Sequence, residues 1–223
     1  MEAQISELKS KLHTWLQCPG ADMANKQLET EQLRCESTGG WLFDDKKFSQ
    51  WKNTPGLLWI QGQSGTGKTV LSSTVIRKLF HDQQEIAQRA AVAYFYFDFR
   101  DQKKQLMQTM LRTIVLQLSA QSPHPYQALN TQYMLSKGQT LPNTQELRHV
   151  LEELLRELGR TYIIVDALDE CTDTEHECLI DLISTLRGWT RTPLHLMMTS
   201  QSRIILTDLM KGVPCIYLES DIT

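Results

Sequence analysis

The chain has 223 residues, of which 41% are hydrophobic and 22% charged, and its formal net charge is −3. That length buries a sizeable core without disulfides or a structural metal. The charge balance lacks the basic excess of a nucleic-acid binder, and no apolar run approaches the ~18 residues needed to cross a bilayer.

The five cysteines (Cys18, Cys35, Cys171, Cys178 and Cys215) form no C-x-x-C pair, and the six histidines form no H-x-x-x-H pair. Reduced thiols in a cytoplasmic protein are therefore expected, rather than a disulfide framework or a zinc ribbon. Glu2 and Glu7 interrupt the first fifteen residues, which do not read as a signal peptide.

Ile5, Leu8, Leu12, Trp15 and Leu16 recur at helical spacing, so the chain opens on an amphipathic helix ending near Cys18, Pro19 and Gly20. Its apolar face needs a partner, in the body of the protein or in another chain. A polar stretch over 25–36 follows, then a turn at Gly39 and Gly40. Phe48 and Trp51 predict a short helix that packs back on the domain. After Pro55 and Gly56 comes a short apolar strand, 57–60, a glycine-rich loop, and a helix striped by Val70, Leu71, Val75, Ile76 and Leu79. A second strand spans 90–97, and Leu106, Met110, Leu111, Ile114 and Leu118 mark the next helix.

The stretch 119–142 is polar, carries prolines at 123, 125 and 142, and is expected to hold a short helix around 126–135. Asn143 and Glu146 have capping-box spacing ahead of a helix striped by Leu147, Val150, Leu151, Leu154 and Leu158. Residues 161–165 are continuously apolar, the pattern of a strand inside a parallel sheet. Leu179, Leu182, Ile183 and Leu186 give a helix stopped by Gly188, and 194–199 and 215–218 are the last strands. Strand–helix alternation from 57 to 218 predicts an α/β domain, a parallel sheet with helices on both faces. Residues 1–54 read as a helical lead-in and 55–223 as the core.

Between the first strand and its helix lies Gly62-Gln63-Ser64-Gly65-Thr66-Gly67-Lys68-Thr69, followed by Val70. The pattern G-x-x-x-x-G-K-[ST] arises by chance in about one chain in a hundred of this length, and here it has the strand and helix that the chemistry requires. Glycines let the loop amides turn inward around a phosphate, and the helix N-terminus favours negative charge. Lys68 would reach the β- and γ-phosphates, and Thr69 would offer its hydroxyl to Mg²⁺.

Thr161-Tyr162-Ile163-Ile164-Val165-Asp166 is an apolar strand ending in a carboxylate, the Walker B form, with Asp166 on the cation. Asp169 and Glu170 add two further acids, one of which can activate water as general base. Glu170 is the first choice and Asp169 the second, a turn cap being the other reading of Asp169.

The block Asp166-Ala167-Leu168-Asp169-Glu170-Cys171 resembles the Walker B segment of NACHT-type STAND NTPases, best those of the fungal group similar to the nephrocystin N-terminal region. Thr38-Gly39-Gly40-Trp41-Leu42 with Phe48 and Trp51 resembles the family's lead-in. Residues 94–101 resemble its second strand, and Leu111-Arg112-Thr113-Ile114 with Gln117-Leu118 the helix beyond. The resemblance implies a five-stranded parallel P-loop NTPase core, with the P-loop strand beside the sensor strand. It also implies a switch, in which exchange or slow hydrolysis of ATP or GTP governs self-association or association with related NACHT proteins. Family members are associated with fungal non-self recognition and cell death.

Two departures stand out. The sensor strand normally ends Thr-Ser-Arg, but Thr199-Ser200-Gln201-Ser202-Arg203 carries the arginine two places on. Arg203 then touches a γ-phosphate only with a rearranged loop, and a plain surface role is the other reading. The chain also ends at Thr223, so the family's lid, winged helix and repeats are expected to be missing. The expectation is an Mg²⁺-dependent NTP-binding signalling switch with slow hydrolysis at best. The alternatives are an interaction protein that binds nucleotide without turnover and a P-loop small-molecule kinase. Arg100 is a minor candidate for a finger acting in trans, and Cys171 reads as a buried thiol.

Overall fold

The computed structural model describes residues 2–18, 20–33, 39–85, 90–189 and 192–218. Met1, Pro19, Cys35, Glu36, Thr38 and Thr223 lie outside the described residues.

Five strands form one parallel sheet: β1 (Gly56–Gly62), β2 (Ala91–Tyr96), β3 (Thr161–Asp166), β4 (Leu194–Ser200) and β5 (Cys215–Leu218). Their order is β2-β3-β4-β1-β5, every pair parallel. The loop-bearing strand β1 pairs with β4 in the register Ile60 to Thr199, as the family resemblance implied. Residues 161–165 fall in an interior strand, every position of which is buried.

The helices are α1 (Glu2–Leu16), α2 (Gly20–Gln32), α3 (Gly40–Asp44), α4 (Lys46–Asn53), α5 (Lys68–Glu85), α6 (Met107–Ser119), α7 (Gln127–Ser136), α8 (Thr144–Leu158), α9 (His176–Gly188) and α10 (Ile204–Leu209). On one face of the sheet, Leu111 of α6, Leu151 of α8 and Leu182 of α9 line one apolar cavity with Ile163, Val165 and Met198. On the other, α5 crosses the strands, and Trp51 of α4 meets Tyr162 edge-on at 5.6 Å between ring centroids. Both faces of β3 and β4 are covered, so successive side chains on opposite faces are all buried, which explains the continuous apolar run of β3 and why β4 buries its one imidazole, His195.

The opening helix finds its partner in the body of the protein. Leu12 and Leu16 of α1 are fully buried, Trp15 packs on Tyr133 of α7 at 5.3 Å, and its indole N–H donates to Thr140 O at 2.9 Å. Asn143 and Glu146 form the expected capping box at the start of α8.

The polar stretch over 25–36 conceals most of α2. Its inward stripe is Met23, Gln27 and Thr30, at helical spacing but mostly polar. Gln27 Nε2 donates to Ser73 O at 3.0 Å and to Glu31 Oε1 at 2.6 Å, while Tyr96 Oη donates to Gln27 Oε1. A helix that buries satisfied amides leaves little trace in a hydrophobicity pattern.

The outer edge of β2 is closed by side chains. Gln117 near the end of α6 and Gln121 in the turn just after it each accept from and donate to one residue of the strand, Tyr94 and Val92 respectively, at 2.8–3.0 Å. These amides satisfy backbone groups that would otherwise template pairing with another chain.

Candidate functional site

β1 ends at Gly62, α5 begins at Lys68, and residues 63–67 form the loop between them. Gly65 and Gly67 have φ of +83° and +84°, in the left-handed region where glycine pays no steric cost. Gly62 is required for a different reason than the expected backbone freedom. A Cβ there would stand 2.5 Å from Thr66 Oγ1 and 2.9 Å from Leu218 Cβ, so close packing, not φ, excludes a side chain. Thr66 Oγ1 donates to Gln63 O at 2.9 Å and ties the loop across itself.

Lys68 folds back on this loop, its ammonium donating to Gly62 O at 2.8 Å and to Gln63 O at 2.7 Å. Burial lowers its pKa, and the charges of Asp169, Asp166 and Glu170 oppose that shift. The loop lysine and the three acids, distant in sequence, therefore share one electrostatic site.

Asp166 closes β3 and is 2% exposed. Ser72 Oγ of α5 donates to its Oδ1 at 2.6 Å, and Thr199 Oγ1 of β4 donates to the same oxygen at 2.7 Å. Burial raises the Asp166 pKa, countered by Ser72, Thr199, Thr69 and then Lys68. Thr69 thus stands against the carboxylate with which the sequence paired it. The next residue, Ala167, has φ +56°, a left-handed turn that carries the chain away from the sheet.

Asp169 is 3% exposed, and its Oδ1 accepts the Gln201 N–H at 2.9 Å. Its carboxylate ties the acidic turn to the exit of β4 and does not cap its own turn. Glu170 is half-buried, and its Oε2 accepts the Phe99 N–H at 2.9 Å. Burial raises the Glu170 pKa, the Phe99 amide opposes this, and Asp169, Asp98 and Asp166 add to it.

Arg203 precedes α10, and its guanidinium rests on Asp173, 3.5 Å away. Arg100 is exposed and grips Asp98 through Nε and Nη2, both at 2.9 Å, holding the Asp98 carboxyl down to about 2. Cys171 is a buried thiol whose pKa burial pushes up to about 12.

Sequence reading missed Ser72, Thr199 and the backbone amides of Phe99 and Gln201. Ser72 left one signal, since it lies three residues after Thr69 and so on the same helix face.

The Thr69 hydroxyl and the Asp166 carboxylate, which stand against each other, both offer oxygen, which suits a hard cation such as Mg²⁺. Among the described residues, no cluster of three or more His, Cys, Asp or Glu is placed to hold a metal ion. Mg²⁺ fits this sparse set because it takes one or two carboxylates and fills its remaining positions with phosphate oxygens and water.

The sequence matches the family described as nephrocystin 3, N-terminal, over residues 37–201. It is 27% identical over 169 residues to the vegetative incompatibility protein HET-E-1 of Podospora anserina, a match covering 73% of this chain and 12% of that protein. The chain thus spans a small part of the curated relative's length. Among solved structures, the Aeropyrum pernix ORC1 protein in complex with DNA aligns with a TM-score of 0.48 at 14% identity, covering 78% of this chain and 42% of that one. The Walker-type ATPase PABY2304 of Pyrococcus abyssi also aligns at 0.48, with 13% identity, covering 83% of this chain and 55% of that one. Structural likeness at this level carries no functional weight. The family match spans most of the chain and contains both the glycine-rich loop and the acidic turn, so this chain belongs to the nephrocystin 3 N-terminal family, a NACHT-type P-loop module.

Proposed function

We propose that the chain binds a nucleoside triphosphate, ATP or GTP, together with Mg²⁺, and works as a regulatory signalling switch with slow hydrolysis at best. The observation that carries this reading is the convergence of Lys68, Asp166, Asp169 and Glu170 on one site at the end of the sheet. In this reading, Gly62, Gln63, Ser64, Gly65, Thr66, Gly67 and Val70 cradle the phosphates, and Lys68 releases its loop carbonyls to bind them. Thr69 and Asp166 hold the cation, which when bound neutralises charge on the phosphates. Glu170 takes a proton from water attacking the γ-phosphorus while the bond to the diphosphate breaks. Burial raises its pKa, the direction that strengthens a carboxylate as a base.

Two contacts support slow turnover in this reading. Glu170 is engaged by the Phe99 amide, and Arg203 rests on Asp173. These contacts suit a protein that binds nucleotide and hydrolyses it slowly, or binds without turnover, and the cluster Asp166, Asp169 and Glu170 suits water activation better than the transfer chemistry of a small-molecule kinase. In this reading residues 1–54 serve as a lead-in to the 55–223 core, and α1 packs on α7 through Trp15 and Tyr133. The partners expected are related NACHT proteins or further copies of the chain, in a cytoplasmic role in non-self recognition or cell death; the fungal relative is named a vegetative incompatibility protein.

The test is titration of the purified chain with fluorescent ATP and GTP analogues, with Mg²⁺ and with EDTA, followed by single-turnover hydrolysis. Saturable, Mg²⁺-dependent binding of one analogue supports the reading and names the base. A folded chain that binds neither analogue sinks it.

A further inference from the structure

We infer that Ser72 and Thr199 are positioning residues that aim Asp166, presenting its Oδ2 to the cation that accompanies the nucleotide. This rests on the proposed role of Asp166 in holding that cation. Both side chains are fully buried, and they reach Asp166 from different elements, α5 behind the phosphate loop and β4 beside it. Both donate to Oδ1, at 2.6 and 2.7 Å, and neither is spent on Oδ2.

The direction of the Thr199 bond is forced. Its Oγ1 accepts the Ala167 N–H at 3.0 Å, so its own proton is free to point to the carboxylate. A threonine hydroxyl has a single proton, and the amide cannot accept one. Thr199 is also β-branched, which restricts rotation about χ1. The same hydroxyl anchors the left-handed turn at Ala167, a conformation that costs a non-glycine residue of order 1 kcal/mol or more unless its surroundings hold it. One side chain thus fixes both the carboxylate and the bend that follows it.

Ser72 supplies the second constraint. It stands one helical turn beyond Thr69, so a shift of α5 on phosphate binding carries the Thr69 hydroxyl and the Ser72 clamp together. With Oδ1 held by two buried donors, the carboxylate plane cannot swing to present either oxygen indifferently. Such outer partners typically change metal affinity by 10- to 100-fold when removed, without touching the metal themselves.

The test uses wild type, Ser72→Ala, Thr199→Val and Thr199→Ser, each titrated with the tighter fluorescent nucleotide over a series of Mg²⁺ concentrations and in EDTA, with thermal melting in nucleotide-free buffer. Ser72→Ala and Thr199→Val should raise the Mg²⁺ concentration for half-maximal binding by about tenfold or more. Affinity in EDTA should stay within about twofold, and Thr199→Ser should restore the wild-type Mg²⁺ requirement. A purely packing role would lower the melting temperature and leave the Mg²⁺ requirement unmoved, and that result overturns the inference. If Thr199→Val does not fold, Ser72→Ala and Thr199→Ser carry the same test. Wild type without any Mg²⁺ dependence overturns the assignment of Asp166 itself, an outcome distinct from variants that match a Mg²⁺-dependent wild type.

Discussion

Replacing Lys68 by methionine removes the charge and keeps the length of the stem. In the free protein the ammonium already makes two hydrogen bonds, at 2.8 and 2.7 Å, to Gly62 O and Gln63 O. Binding a triphosphate exchanges these for bonds to phosphate oxygens, so only the excess of phosphate over carbonyl counts toward affinity. Both kinds of bond involve the charged ammonium and fall in the range of about 1.5–3 kcal/mol, the carbonyl toward its low end and the anionic phosphate toward its high end, a gap of about 1 kcal/mol per bond. Two exchanged bonds then leave a net loss of about 2 kcal/mol in the variant, or roughly thirtyfold in Kd. The assay is nucleotide titration at saturating Mg²⁺, paired with thermal melting of the free chain, which should move by only a few degrees. Binding by wild type should also weaken as pH rises toward the ordinary lysine value and not only beyond it, because burial lowers the Lys68 pKa before the phosphates arrive. A folded Lys68→Met variant with wild-type Kd would refute the placement of the triphosphate on this loop.

Gly62→Ala should cost about 1–3 kcal/mol by overpacking against Thr66 and Leu218 and should weaken nucleotide binding. Gly40→Ala, whose Cβ would meet nothing within 4 Å, is the matched control, and urea unfolding separates the two. Asn143→Ala removes the side-chain half of the α8 capping box and should destabilise the chain by about 1 kcal/mol, read as a fall of roughly 2–4 °C in Tm. Burial holds the His195 imidazole below its ordinary 6.5, with the Trp51 carbonyl on Nδ1 opposing and Arg160 assisting. The unfolded chain therefore takes up a proton that the folded chain refuses, so stability should drop as pH falls below about 6.5. Unfolding curves of His195→Gln should lose that slope.

The features most readable in the sequence were those in which one residue type does one job in a local pattern. The loop from Gly62 to Thr69, the acid ending β3 and the Asn143 cap all require particular side chains at fixed spacing, and the structure has each where the pattern put it. The strands and most helices followed, because burial on one or both faces imposes a period. What stayed hidden depends on tertiary pairing. Most of α2 passed as a polar stretch because amides line its inner face. Ser72 is a small, unremarkable residue, and Thr199 stood in the sensor motif without a partner, until the fold brings both to one carboxylate oxygen. The role of Asp169 was equally beyond reach, since the Gln201 amide it accepts belongs to another strand's exit.

The run of acids from Asp166 to Glu175 poses a physical problem whose solution explains how the site is tied to the rest of the domain. Carboxylates this close raise one another's pKa, as Asp169 and Asp166 do for Glu170. The turn tolerates them because each finds donors on a different element. Asp166 takes hydroxyls from α5 and β4, Asp169 an amide from the β4 exit, and Glu170 an amide from the β2 exit. Asp173 takes Arg203 from the approach to α10, and Glu175 accepts the Met107 and Gln108 amides at the start of α6. The same donors that make the acidity bearable are therefore mechanical links. A cation that draws on Asp166 competes with the hydroxyls for its negative charge. The exposed Asp173 can exchange Arg203 for water, whereas a shift of the turn that is not matched at β4 leaves buried Asp166 or Asp169 without a donor. Leaving such a group unpaired costs more than the bond contributes when made, so small displacements at the phosphate end have discrete consequences elsewhere in the domain.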